Sequence, residues 1–143
     1  MNQKGLTLIE LLAVIVILSI VSTISVVSIS RVIQDSKDRA FVGNAFALKE
    51  AANLFLKSEI IKGSIPPDVI TYQTLFETGF IDEFKDPDTG SYPEASDNSF
   101  VEVKGAEITH VCLRGEKRNL CTYNGNISAI PIKELSVELI LPN

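Results

Sequence analysis

The side chains of this chain that could do chemistry are few, and the most demanding is Glu10. It opens an apolar run that contains no further charged residue until Arg31. A helix rises about 1.5 Å per residue, so about 20 such residues match a hydrocarbon core about 30 Å thick. An ionised carboxylate inside that layer costs roughly 2.5–3.5 kcal/mol even on the gentler insertion scales. What Glu10 pairs with is therefore the central question.

The other reactive groups lie far along the chain. Cys112 and Cys121 are the two cysteines, and His110 is the one histidine. A closed zinc site needs about four ligands, which this supply does not meet. With Glu116 and Lys117 at the centre of a hairpin, Cys112 falls directly opposite Cys121. Cross-strand Cβ atoms lie about 4.5–5.5 Å apart and a disulfide wants about 3.5–4.5 Å, so a disulfide in an extracytoplasmic domain is expected after a small adjustment. Its short loop should contribute roughly 3 kcal/mol or less. A reactive thiol pair would need a lowered pKa. Arg114, Lys117 and Arg118 are close, but the redox-motif spacing is absent.

Asp86-Pro87-Asp88-Thr89-Gly90 has the composition of a turn. Asp86, Asp88 and Asp97 could offer oxygen ligands to calcium, but an EF-hand loop wants Gly at its sixth position, and counting from Asp86 that place holds Ser91. The expectation is a solvated turn and no metal site. His110 stands without a Ser or Cys nucleophile arrangement, and there is no Gly-rich phosphate loop. No catalytic residue, cofactor or enzyme activity is expected. Asn126-Ile127-Ser128 matches a glycosylation sequon, a pattern short enough to recur by chance.

With 143 residues the chain has room for one domain beside its apolar segment. The net charge of −5, with no basic cluster, argues against a direct nucleic-acid site, although an indirect part in DNA uptake stays open.

The positioning elements follow from periodicity. Phe41, Ala45, Leu48, Ala52 and Phe55 step by four and three, one face of a helix. Gly63 is a natural residue to follow its end, and Ile65-Pro66-Pro67 forbids continuation. One long helix over roughly residues 6–61 is expected, with Gly43 its weak point at about 1 kcal/mol against Ala. A connecting region spans 64–98, with a short helix over Tyr72–Gly79 capped by Thr71. From Ser99 the pattern turns to period two. Val101 and Val103 face one way; Ile108, His110 and Cys112 share a face opposite Thr109, Val111 and Leu113; Asn124-Gly125 signals a hairpin turn; Leu135 to Leu141 reads as the last strand. The fold class expected is α+β, a long N-terminal helix packed against a small antiparallel β-sheet head.

The apolar segment has three readings. A signal peptide would have a shorter apolar stretch and a small-residue cleavage site, whereas Arg31-Val32-Ile33 follows here. A plain membrane anchor fits in length but leaves Glu10 unexplained; Lys4 lies before the span and Arg31, Lys37 and Arg39 after it, so the positive-inside count alone would point the N-terminus outward. The third reading rests on Lys4-Gly5-Leu6-Thr7-Leu8-Ile9-Glu10, which resembles the prepilin cleavage and methylation motif of type IV pilins and pseudopilins. The resemblance is close over about the first thirty residues and continues only in outline.

It implies a leader of residues 1–5, a transmembrane and filament-core half of the helix over 6–30, an amphipathic half over 31–62 and a head over 63–143. It implies cleavage between Gly5 and Leu6 by a prepilin peptidase, N-methylation at Leu6 and an assembly role for Glu10. The new α-amino group at Leu6, with a pKa of about 7.7–8.0, would supply the charge that Glu10 needs, and methylation keeps it positive. Family members usually have Phe at the place of Leu6, and many carry a kinking Pro where Val27 stands, so a straighter membrane helix is expected here. Ser19, Ser22, Ser25 and Ser28 form a small-residue stripe that suits close helix packing. The function implied is a structural subunit of a type IV pilus or of a competence or secretion filament, in the cell membrane before assembly and at the cell surface afterwards, with pilin-like subunits as partners. The alternative is a bitopic surface protein that binds a ligand and does not polymerise.

Overall fold

The computed structural model describes Gly5 and residues 7–143. Its main element is α1, a helix over Leu8–Ile61. Two compact units divide the chain, Met1–Ser36 and Lys37–Asn143.

In the first unit the described side chains are exposed, including Leu12, Ile15, Ile24 and Ile29. The helix is long and apolar enough to cross a membrane. Its hydroxyls are satisfied within the helix. Ser19 donates to the Ile15 carbonyl and Ser22 to Leu18, both at 2.7 Å, and Ser25 donates to Val21 at 2.9 Å. Thr23, Ser28 and Ser30 do the same one turn back. This bonding removes most of the penalty for a hydroxyl in an apolar layer. The serine stripe therefore needs no interhelical hydrogen-bond partner.

In the second unit α1 buries Phe41, Val42, Ala45, Leu48, Ala51, Ala52 and Leu56. Leu56, not Phe55, ends the buried face; Phe55 stays half-buried with its ring edge-on to Phe80 at 5.5 Å. Gly63, at φ 79°, takes the left-handed conformation that a side chain resists. Its N–H donates to Ile60 and that of Ser64 to Glu59, both at 3.0 Å, which satisfies the last carbonyls of the helix.

The chain then forms β1 (Val69–Thr71) and α2 (Tyr72–Glu77). Thr71 caps α2, its hydroxyl accepting from the Thr74 N–H at 3.2 Å. The sheet is built from β2 (Phe100–Lys104), β3 (Glu107–Arg114), β4 (Arg118–Leu120) and β8 (Leu141–Pro142) in the order β1-β2-β3-β4-β8, with β7 (Ile130–Pro131) also on β3. The described pairings are antiparallel. Separately, β5 (Thr122–Tyr123) and β6 (Asn126–Ile127) form a hairpin whose turn residues Asn124 and Gly125 both have positive φ, 50° and 78°. Ile70, Val101, Val111, Leu113, Leu120 and Ile130 meet the helix face in one core. The architecture is α+β, as the periodicity and the resemblance lead one to expect.

Two sequence expectations are corrected. A bulge falls between Glu102 and Val103, so Glu102 pairs with His110 but Val103 pairs with Ile108. One extra residue, Thr109, flips the strand. Ile108 therefore packs on the main core with Val111, away from the face of His110 and Cys112. The second correction is the strand expected over Leu135–Leu141. Residues Ile132–Glu134 and Val137–Leu139 form tight 3-10 turns, and only Leu141–Pro142 pairs as strand. β4 is three residues long and offers little edge to pair with, and Pro142 brings no N–H to a ladder. The apolar residues Leu135, Val137 and Leu139 still pack on the core. Alternation in sequence reported burial here, not a strand.

Candidate functional site

The start of α1 is organised around Thr7 and Glu10. The Thr7 N–H donates to the Glu10 carboxylate at 2.8 Å. In return the Glu10 N–H donates to the Thr7 hydroxyl at 3.3 Å. This is a capping box: a hydroxyl residue and a Glu three positions later satisfy each other's backbone donors. Glu10 also lies in the first helical turn, where the positive end of the helix dipole favours an anion. Both residues are exposed in the chain. The carboxylate thus has local donors and still keeps accepting capacity, since two oxygens offer about four lone-pair sites. The S/T-x-x-E spacing is a signal in the sequence that points to Thr7, which motif reading alone leaves without a role.

Residues 1–26 match the family model of the prokaryotic N-terminal methylation motif. The chain carries the type IV pilin, prepilin-type signature. No curated protein and no solved structure matches it. The signature marks a type IV pilin-like precursor and, with the apolar helix, membrane anchoring; proteins with this type of motif are structural and not enzymatic. It covers the motif and the first part of α1, so the head must be read from its own residues. Of the residues expected from sequence to serve cleavage and assembly, Gly5 is exposed and Glu10 is held as described. Lys4 and Leu6 lie outside the described residues.

The remaining candidates sit in the head. Cys112 and Cys121 form a disulfide, with Cα atoms 4.5 Å apart, beside Ala129 and Phe100. His110 is partly exposed, its Nδ1 2.9 Å from the Thr109 hydroxyl and 3.5 Å from Glu102. Among the described residues no group of His, Cys, Asp or Glu is arranged to hold a metal ion.

The acidic turn is a correction. Asp86 is 1% exposed, so it is not a solvated turn residue. Its carboxylate accepts from the N–H groups of Asp88 at 2.8 Å, Thr89 at 3.3 Å and Glu116 at 2.9 Å. Burial pushes this carboxyl up, but those N–H groups and the nearby Arg118 charge outweigh it and hold it below its ordinary value. Arg118 bridges the turn to the helix, donating to Asp88 at 2.6 Å and to Asp38 at 2.5 Å, with its guanidinium 5.5 Å from the centre of the Phe41 ring. Glu116 further accepts from the Ser91 hydroxyl. What looks in sequence like a cation loop is an anchor that fastens the connecting region to α1. Arg118 and Gly115, the residues that make it possible, are separated from Asp38 by about eighty positions, and no local pattern announces them.

Proposed function

We propose that this chain is a structural subunit of a type IV pilus or pilus-like filament. A prepilin peptidase cuts between Gly5 and Leu6, the new amine of Leu6 is methylated, and the subunit leaves the membrane to join copies or other pilin-like subunits through α1. The observation that carries this reading is a lone carboxylate, Glu10, at the head of a charge-free helix inside the methylation signature.

The chemistry runs as follows. Before assembly the capping box and the helix dipole offset part of the cost of Glu10 in lipid. Cleavage after Gly5 creates an ammonium at the positive end of a helix, where it is poorly placed. In the low dielectric of packed helices this ammonium and the carboxylate of a neighbour attract strongly, and neither is stable there alone. Because Thr7 takes only part of the accepting capacity of Glu10, the neighbour's ammonium adds to the site without first breaking it. A buried charge pair of this kind selects one register. The head carries no catalytic part in this reading, and the disulfide keeps it rigid outside the membrane.

Mass spectrometry of the N-terminus of the natural protein tests it. The expected product begins at N-methylated Leu6. An intact Met1 on a monomeric membrane protein would favour a bitopic surface protein that binds a ligand, and a start near residue 31 would indicate a secreted product; either would overturn the proposal.

A further inference from the structure

We propose that the head carries a binding cleft for a single uncharged sugar ring, set between the sheet face that bears Cys112 and the β5–β6 hairpin. The site goes beyond the filament reading and does not depend on it.

The cleft has a volume of about 200 Å³. Clefts that hold drug-sized molecules run from about 300 Å³ upward, so the occupant here is about one ring in size. The Cys112–Cys121 bridge forms the floor, its residues 3% and 1% exposed. Phe100 stands directly across the ladder from Cys112 and packs against the bridge, half-buried, as one wall. The hairpin is the other wall. The Ser128 N–H donates to the Cys121 carbonyl at 3.0 Å, which ties the hairpin to the floor. Ile127 lines the cleft while 83% exposed, so its apolar side chain is mostly uncovered. The bridge holds both walls in place before anything binds, which lowers the ordering cost of binding.

The rim supplies hydrogen-bonding groups of both kinds. Asp97 accepts, Arg114 donates, and Asn98 and Ser128 can do either. All four are exposed, and among the described residues no ion pair engages Asp97 or Arg114. The Arg114 N–H donates to the buried Ser99 hydroxyl at 2.9 Å, which fixes the backbone from which the guanidinium projects. A sugar hydroxyl donates and accepts at once, so a neutral ring can give to Asp97 and take from Arg114. Its C–H face is apolar and suits the walls made by Phe100 and Ile127. A purely apolar ligand would leave the polar rim without partners. A simple cation or anion would meet a like charge as well as an opposite one.

The test is a titration of the isotope-labelled full-length protein, in a detergent without a sugar headgroup, read by amide NMR. The probes are the methyl glycosides of glucose, galactose, N-acetylglucosamine and N-acetylgalactosamine, with leucine as a zwitterion of similar size. At least one glycoside is expected to bind with a Kd of about 1–10 mM, the range for a ligand of about a dozen heavy atoms, and to shift the N–H signals of Phe100, Arg114 and Ser128. Asp97→Asn and Arg114→Gln, both at exposed positions, should each weaken that binding by about ten-fold. Ile127→Ser should weaken it by about three-fold, and Lys133→Gln, away from the cleft, should leave it unchanged. Glycosides that shift none of these signals well above that range would overturn the site. Binding that survives both charge variants, or a preference for leucine, would do the same. None of these outcomes touches the filament reading.

Discussion

The Thr7 N–H and the Glu10 carboxylate meet at 2.8 Å, and the return bond from the Glu10 N–H to the Thr7 hydroxyl closes a loop of two hydrogen bonds at the start of α1. The acid on which the proposed assembly depends is therefore held in place within its own subunit. Its position at the head of α1 is set by bonds within the chain itself.

From this follows a separation between anchoring and assembly. Glu10→Ala removes the charge and half of the capping box but leaves the apolar span intact. We expect normal membrane content and a normally folded head, with filament yield down by about ten-fold or more. Thr7→Ala should cost about 1 kcal/mol at the first turn, seen as faster hydrogen exchange at the Glu10 N–H in detergent. Normal assembly of Glu10→Ala would remove the role assigned to the carboxylate.

Arg118 binds Asp38 and Asp88 with a side chain 17% exposed. Arg118→Met removes the guanidinium that ties Asp88 to Asp38. The expected loss of head stability is roughly 3 kcal/mol, the low end for breaking a buried pair because some solvent reaches this one. Denaturant melting of the full-length protein in detergent measures it, and a change under about 0.5 kcal/mol would show the pair to be ornamental.

Gly115 is needed for space. A Cβ there would lie 2.7 Å from both an Asp86 carboxylate oxygen and the Phe41 ring. Gly115→Ala should therefore destabilise the head by about 1–3 kcal/mol, with the Asp86 loop opening first to proteolysis. The control is Gly43→Ala, which meets open space and should stabilise the unassembled subunit by up to about 1 kcal/mol.

Asp86 gives the head a pH dependence of known sign. Its carboxyl titrates below the ordinary value of 3.8 when folded, so the unfolded chain binds its proton first as pH falls. The stability that Asp86 contributes is fully present above about pH 4 and is lost as pH drops through the folded value. Asp86→Asn should lower stability at pH 7 by about 1–3 kcal/mol and flatten the acid limb of a melting-against-pH curve. An unchanged slope would mean that other carboxyls govern it.

The Cys112–Cys121 bridge closes a loop of sequence separation 9. Loop closure of that size corresponds to about 2–3 kcal/mol. Reduction, or Cys112→Ser with Cys121→Ser, should lower the melting point of the head without unfolding it at room temperature, since the main core does not pass through the bridge.

Much of this protein is written locally. The charge-free run, the carboxylate at its head, the four-and-three stepping from Phe41, the Thr71 cap and the Asn124-Gly125 turn are short-range patterns whose meaning depends on residues a few places away. The helix, the α+β layout and the candidate assembly acid could be read from them, and the cysteine register led to the disulfide. Contacts made across long stretches of chain could not. The bulge at Thr109 turned Ile108 to the other face because β3 spends one residue more than β2 between the Glu102–His110 and Val103–Ile108 pairs. The Leu135–Leu141 alternation became turns because the edge beside it was too short to continue a ladder. Asp86, Arg118 and Asp38 met because the head closes on α1 there, bringing together charges that are strangers in sequence. Local propensity chooses elements, but which polar groups are buried, and therefore which must find partners, is decided only when the elements pack.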